Sequence, residues 1–118
     1  NNAAKQALFS LAERKSFIEG SVAVKNCRVV SCEGLLVDYM KQEKITVMVR
    51  GLRIAADYDY ELQLFHANKL LYPTLEVVFF PANNKYQYIS STLVREIIKH
   101  DGDITKFIPN FVIDALNA

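Results

Sequence analysis

Two short runs of β-branched and apolar residues, at positions 45–49 and 75–80, lie on either side of a long helical pattern at 54–71. The run at 45–49 is continuous, which is typical of a strand that is covered on both faces. Pro73 ends the helix between the two runs. Further helical patterns occupy residues 11–19, 35–42 and 90–99; a short strand is predicted at 26–30, and Pro109 opens a last helix. This alternation of helix and strand predicts an α/β fold with a parallel sheet and helices on both faces.

The first helix has a clear start signal, because Ser10 and Glu13 have the spacing of a capping box. Gly20 is predicted to stop this helix. Three predicted strands are few for such an architecture, and the helix at 11–19 has no preceding strand. We therefore expect that an N-terminal strand and helix were removed from this chain or are supplied by another chain.

Composition places the chain among ordinary globular proteins. It has 118 residues, of which 51% are hydrophobic and 23% are charged, so one domain over residues 1–118 is expected. The formal net charge is only +1, so the chain lacks the excess of basic residues typical of nucleic-acid-binding proteins, and no nucleic-acid partner is expected. No apolar stretch has the length of a membrane span, and the first residues lack signal-peptide character. We expect a cytoplasmic protein with no membrane partner.

The residues that could bind metals or form disulfides are sparse. Cys27 and Cys32 are predicted to point to opposite faces of a strand and match no zinc spacing, so neither a disulfide nor a zinc site is expected. His66 and His100 stand in separate elements without a cluster of acidic or cysteine ligands. The sequence therefore predicts no protein metal site.

The strand at 45–49 is followed by two arginines, Arg50 and Arg53, with Gly51 between them. Ligands of open parallel sheets bind at the carboxyl ends of strands, and a guanidinium suits phosphate because it donates two parallel hydrogen bonds. Alternatively, these are surface arginines that pair with nearby carboxylates: Asp57, Asp59 or Glu61. Glu61 in turn is expected either to pair with a basic residue or to accept from a ligand.

A second candidate anion site follows the strand at 75–80. A polar loop leads to Ser90, Ser91 and Thr92 at a predicted helix start, where backbone amides and the helix dipole favour negative charge. The alternative is an ordinary N-cap, which is the commoner use of such residues. Both features are expected at the same edge of one sheet, and neither alone identifies a reaction.

These residues carry a resemblance to a known family. Residues 49–53, Val-Arg-Gly-Leu-Arg, with the following Ala-Asp-Tyr-Asp-Tyr-Glu at 56–61, are similar to the central signature of bacterial phosphopantetheine adenylyltransferases. Residues 86–96 resemble that family's second signature, and residues 102–109 resemble its C-terminal turn and helix. The likeness runs from about Lys5 to the end. It implies a doubly wound, Rossmann-like sheet and membership of the nucleotidyltransferases with a His-x-Gly-His type motif.

The resemblance implies transfer of an adenylyl group from ATP to 4'-phosphopantetheine, which gives dephospho-coenzyme A and pyrophosphate. Mg²⁺ would arrive on the ATP phosphates, and a homohexamer is implied. By position, the residues that bind phosphopantetheine would be Lys5, Leu36 and Arg50. Those that contact ATP would be Gly51, Leu52, Arg53, Glu61, Tyr86, Gln87, Tyr88, Ile89, Ser90, Ser91 and Thr92. Lys5, Arg53 and Ser91 are the predicted stabilisers of the transition state, which is reached through positioning and charge neutralisation.

The sequence also departs from the family pattern. The opening strand, the Gly-Thr-Phe-Asp-Pro loop and the motif histidine have no counterpart, so the chain alone is expected to be inactive or very weak. Tyr86 stands where a tryptophan is often found. Two alternatives stay open: a nucleotidyltransferase of the same superfamily that acts on another acceptor, and a non-catalytic nucleotide-binding or oligomer-forming module.

Overall fold

The computed structural model describes residues 7–117. Their elements, in chain order, are α1 (Leu11–Ser21), α2 (Leu36–Gln42), β1 (Val47–Leu52), α3 (Ala55–Leu71), β2 (Glu76–Pro81), a 3₁₀ turn (Asn84–Tyr86), α4 (Ser91–Lys99) and α5 (Asn110–Asn117). All five predicted helices are present close to their expected bounds. The described residues form two compact units, one of residues 7–33 and 89–117 and the other of residues 34–88.

The unit of residues 34–88 contains a two-stranded parallel sheet. Strands β1 and β2 pair from Val47 opposite Glu76 to Leu52 opposite Pro81, and α3 connects them. Parallel strands require such a crossover, and a helix is its usual form. The parallel sheet confirms the predicted α/β class and is consistent with a Rossmann-like fold.

The core of this unit lies beside the first residues of the sheet. Val37 and Met40 of α2 pack with Leu75, which is fully buried just before β2. The Nζ atom of Lys69, near the end of α3, donates to the Leu75 carbonyl at 2.9 Å. These contacts fix where α3 ends and β2 begins.

The two faces of the sheet differ in burial. On the covered face, the ring of Tyr58 from α3 meets Phe79 edge-on with centroids 5.7 Å apart. On the other face, Val47 and Val49 are 53% and 63% exposed. The expectation that this strand is covered on both faces is therefore wrong for the described residues, because side chains alternate along a strand and α3 packs on one side of it.

The strand predicted at 26–30 is also absent, since β1 and β2 are the only strands among residues 7–117. Most of this segment is exposed. A strand requires a hydrogen-bonded neighbour, which a local apolar pattern does not supply. The predicted orientation of Cys27 and Cys32 on opposite faces of that strand fails with it.

In the other unit, the capping box at the start of α1 is confirmed. The Glu13 amide donates to Ser10 Oγ at 3.2 Å, and the Ser10 amide donates to Glu13 Oε2 at 2.7 Å. The helix continues past Gly20 to Ser21, so Gly20 does not stop it. A Cβ atom on Gly20 would lie 2.5 Å from the ring of Phe111 in α5, so the glycine permits close packing of α1 on α5.

Among the described residues, no helix combines the length and the apolar character that a membrane span requires.

Candidate functional site

The arginine turn, residues 50–53, joins the end of β1 to α3. The strand extends through Leu52, so Arg50 and Gly51 lie within it rather than after it, and Arg53 follows directly. Side chains alternate along the strand, which puts Arg50 on the half-buried face beside α3. A Cβ atom on Gly51 would have no neighbour within 4 Å, so the backbone there borders open space.

Arg50 forms a bidentate ion pair with Glu61 of α3. Its Nε atom donates to Glu61 Oε2 at 2.8 Å and its Nη2 atom donates to Oε1 at 2.5 Å. The Glu61 side chain is only 12% exposed, whereas that of Arg50 is 40% exposed. The hydrogen bond with Glu61 raises the pKa of the Arg50 guanidinium, although partial burial acts in the opposite direction. The pair uses two of the five N–H donors of the guanidinium, so Arg50 is oriented without being saturated.

Arg53 is held by a second carboxylate, that of Asp57 in the first turn of α3. Asp57 Oδ2 accepts from Arg53 Nε at 3.2 Å, and Oδ1 accepts from Arg53 Nη2 at 3.3 Å. The same carboxylate accepts from the backbone amides of Arg53 and Ile54. These hydrogen bonds, with that from the Arg53 side chain the largest cause, lower the pKa of Asp57. Both predicted phosphate ligands are therefore paired with carboxylates, as the alternative interpretation of the sequence expected.

The helix start at α4 is built from a hydroxyl cap. Ser90 is the N-cap, and its Oγ atom accepts from the Leu93 amide at 3.2 Å. Ser91 opens the helix and is exposed. Thr92 Oγ1 accepts from Arg95 Nη2 at 3.3 Å. The ordinary capping role expected for this segment is thus filled by Ser90, while the Ser91 hydroxyl lies at the surface.

A cavity of about 390 Å³ adjoins this helix start within the unit of residues 7–33 and 89–117. Ile89, Ser90 and Ser91 contribute to its lining, together with Val94, Phe107 and other apolar side chains. Arg14 and Arg95 also line it. The surface of the cavity is mostly apolar, and the cavity adjoins the start of a helix. Such a lining suits the apolar part of a ligand.

With this geometry established, comparisons with known proteins identify the family. Residues 1–97 match the model of the family described as Cytidylyltransferase-like. The chain is 44% identical over 114 residues to the phosphopantetheine adenylyltransferase of Actinobacillus succinogenes, which covers 96% of this chain and 71% of that protein. The enzymes of the same name from Petrotoga mobilis and Pasteurella multocida are 43% and 44% identical, covering 95% and 98% of this chain and 70% and 74% of their own. The chain belongs to the phosphopantetheine adenylyltransferase family.

The remaining residues that the family resemblance singled out occupy different places. Leu36 is the first residue of α2, is 44% exposed and belongs to the same unit as Arg50. Lys5 lies outside the described residues. Tyr86 and Tyr88 follow β2 with exposed rings, and Lys85 Nζ stands 4.7 Å from the centroid of Tyr86. Gln87 Nε2 donates to Asn84 Oδ1 at 3.1 Å.

The predicted adenylyltransferase residues are divided between the two units. In the unit of residues 34–88, Glu61 contacts Arg50 of the arginine turn, which includes Leu52, and Tyr86, Gln87 and Tyr88 lie after β2. Ile89, Ser90 and Ser91 share a cavity in the other unit. Arg14 and Arg95 were not predicted from the sequence, although Arg95 stands one helical turn after Ser91, which was a usable signal.

Proposed function

We propose that this protein transfers the adenylyl group of ATP to 4'-phosphopantetheine, producing dephospho-coenzyme A and pyrophosphate. The observation that carries the proposal is the identity of about 44% to curated phosphopantetheine adenylyltransferases along almost the whole chain. Two guanidiniums held in place at a strand end support it, because both substrates are phosphate esters.

In the proposed reaction, a phosphate oxygen of 4'-phosphopantetheine attacks the α-phosphorus of ATP. The bond from that phosphorus to the bridging oxygen of the β-phosphate breaks, and the electron pair leaves with pyrophosphate. No group on the protein becomes covalently attached. The protein contributes alignment of two polyanions and stabilisation of the charge that shifts between them.

The residues take the roles that the family resemblance implies. Arg50 binds the phosphate of phosphopantetheine together with Lys5, and Leu36 lies along the pantetheine arm. Arg53, Lys5 and Ser91 stabilise the transition state. The segment from Tyr86 to Thr92 binds adenine and the outer phosphates, and the mostly apolar cavity at Ser90 and Ser91 supports a base-binding role.

Glu61 takes a more specific role. Both of its carboxylate oxygens accept from Arg50. The primary effect of Glu61 is therefore to orient Arg50, the residue that binds the phosphate of phosphopantetheine. A contact with ATP, which the resemblance implies, would use the remaining lone pairs of the same oxygens.

Mg²⁺ belongs to the proposal as an ion that arrives on the ATP phosphates. No three histidine, cysteine or acidic side chains between residues 7 and 117 are grouped as a metal site, so we assign the ion no protein ligand and no step. The proposal further includes one nucleotidyltransferase domain over residues 1–118, a homohexamer and a cytoplasmic setting, which rest on the family resemblance.

The direct test is turnover by the polypeptide as its gene encodes it, with Mg²⁺ present. We expect pyrophosphate-dependent conversion of dephospho-coenzyme A to ATP and 4'-phosphopantetheine, and the forward reaction with ATP. Pantetheine without its phosphate is the control acceptor and should not be adenylylated, because it lacks the phosphate oxygen that attacks the α-phosphorus of ATP. A folded protein that turns over neither substrate pair, or that prefers CTP to ATP, would overturn the proposal.

A further inference from the structure

We infer that Asp57 is a positioning residue for the adenylyl transfer, which acts by fixing both the guanidinium and the backbone of Arg53. Neither the sequence resemblance nor the family names assign Asp57 a role. The inference rests on the proposed function, because it gives Asp57 the task of preparing Arg53 for the transition state.

The hydrogen bonds of Asp57 converge on Arg53 and on the backbone amide that follows it. One oxygen, Oδ2, accepts from the Arg53 amide at 3.0 Å, from Arg53 Nε at 3.2 Å and from the Ile54 amide at 3.4 Å. The other oxygen, Oδ1, accepts from Arg53 Nη2 at 3.3 Å. One carboxylate therefore fixes both ends of the same residue, the peptide nitrogen and the guanidinium.

The position of Asp57 in α3 explains how it can do this. The helix begins at Ala55 with Ile54 as its N-cap, and Ile54 has no side-chain oxygen that could cap it. A carboxylate in the first helical turn can reach back to the amides before the helix and interacts favourably with the helix dipole. Asp57 thus accepts hydrogen bonds from the backbone amides of the turn after β1. The same carboxylate also binds the guanidinium of Arg53.

An ordinary surface ion pair would be arranged differently. Exposed pairs of this spacing orient two flexible side chains weakly. Here the Asp57 side chain is 23% exposed, and its own orientation is set by two backbone amides. Because the carboxylate is fixed to the backbone, the guanidinium that it holds is fixed as well. The Arg53 side chain is 39% exposed, so a phosphate can still approach it.

This arrangement matters for turnover because Arg53 must meet charge that develops in the transition state. A donor that is already oriented needs no reorganisation at that moment. A guanidinium released from Asp57 would keep its charge but would lose the carboxylate that orients it. Loss of Asp57 should therefore lower kcat and leave the affinity for ATP nearly unchanged.

The test compares Asp57→Asn with Asp59→Asn in the polypeptide as its gene encodes it. Asn keeps the shape of the side chain but loses the charge and one of the two acceptor oxygens. We expect about a 10–100-fold loss of kcat, the range that loss of a partner orienting a metal ligand typically costs, with the KM for ATP changed less than about threefold. Asp59→Asn removes the same charge two residues further along α3, at an exposed position, and should leave kcat and KM within about twofold.

A double-mutant cycle separates positioning through Arg53 from a structural effect. In an Arg53→Ala background, Asp57→Asn should cause no further loss of kcat, because the group that it orients is gone. An equal loss in both backgrounds would overturn the inference, as would an unchanged kcat in Asp57→Asn. If Asp57→Asn does not fold, Asp57→Glu keeps the charge with one added methylene and should lose less activity than Asp57→Ala.

A measurement that does not depend on activity tests the role of Asp57 separately from the proposed function. The Nε–H resonance of Arg53, assigned by its absence from Arg53→Ala in ¹⁵N-labelled protein, should be protected from solvent exchange in the wild type and in Asp59→Asn, and lost in Asp57→Asn. A signal that persists in Asp57→Asn would defeat the inference whatever the protein catalyses. A wild type that shows the protected signal but no turnover would defeat the proposed function instead.

Discussion

The end of β1 and the start of α4 are organised in two different ways. At the arginine turn, the donors are side chains, and each guanidinium is held by a carboxylate of α3. At α4, the donors are backbone amides at a helix start, and the Ser90 hydroxyl is engaged by the Leu93 amide. One region is therefore organised by ion pairs and the other by helix geometry.

These two arrangements predict different effects of substitution on catalysis and on the free energy of unfolding. A guanidinium can be deleted, and so can the carboxylate that orients it, so the arginine turn should respond strongly in catalysis. The amides of a helix start stay in place when a side chain changes, and their dipole persists. Substitution of the N-cap residue Ser90 should therefore appear chiefly as a change in the free energy of unfolding.

The largest effect that this comparison predicts is that of Arg53→Ala. Removal of a donor that stabilises a transition state typically costs about 10²–10³ in rate, so kcat should fall by about that factor while the KM for ATP changes much less. Arg53→Lys, which keeps the charge but loses the planar fork, should give an intermediate kcat. Steady-state kinetics with varied ATP measure both constants, and an unchanged kcat in Arg53→Ala would remove this residue from the mechanism.

A smaller and more selective effect is expected for Glu61→Gln. Gln keeps the size of the side chain but loses the charge and one acceptor, so the bidentate grip on Arg50 is lost. The KM for 4'-phosphopantetheine should rise by about 10-fold, equivalent to about 1.4 kcal/mol of binding free energy, with a smaller change in the KM for ATP.

The matched control for this substitution is Glu76→Gln, which removes a carboxylate from the exposed ion pair with Lys69 in the same unit. It should leave both KM values within about twofold, since exposed pairs contribute little. If Glu61→Gln instead raised the KM for ATP alone, Glu61 would act on the nucleotide directly, and its role as the orienting partner of Arg50 would fail.

Sequence alone predicted the features that depend on neighbours in the chain. The capping box of Ser10 and Glu13 is confirmed because its partners stand three residues apart and need only a helical turn to meet. The pairing of Arg53 with Asp57, four residues on, was one of the stated alternatives for the same reason. Helix bounds and the parallel relation of the strands also followed from pattern.

Features that depend on packing were beyond the sequence. Glu61 reaches Arg50 across eleven positions because α3 folds back over the sheet, and only that crossover selects Glu61 over Asp59 as the partner. The strand predicted at 26–30 failed because strand formation needs a partner that no local pattern specifies. The residues that carry charge could therefore be found in the sequence, but not the contacts that orient them.

The smallest predicted effects divide Ser90 from Ser91 at the start of α4. Ser90→Ala removes the N-cap hydrogen bond to Leu93 and should lower the free energy of unfolding by about 1 kcal/mol, with kcat changed less than about twofold.

Ser91→Ala removes an exposed hydroxyl from the first helical position and should change the free energy of unfolding by less than about 0.5 kcal/mol. Its proposed contact with the transition state predicts a loss of kcat of about fivefold, equivalent to about 1 kcal/mol, which is the typical net contribution of one hydrogen bond. Urea unfolding and steady-state kinetics on both variants measure the two quantities. If Ser90→Ala lowered kcat more than Ser91→Ala, the capping hydroxyl itself would contact a substrate, and the distinction between a region built for orientation and one built on helix geometry would not hold.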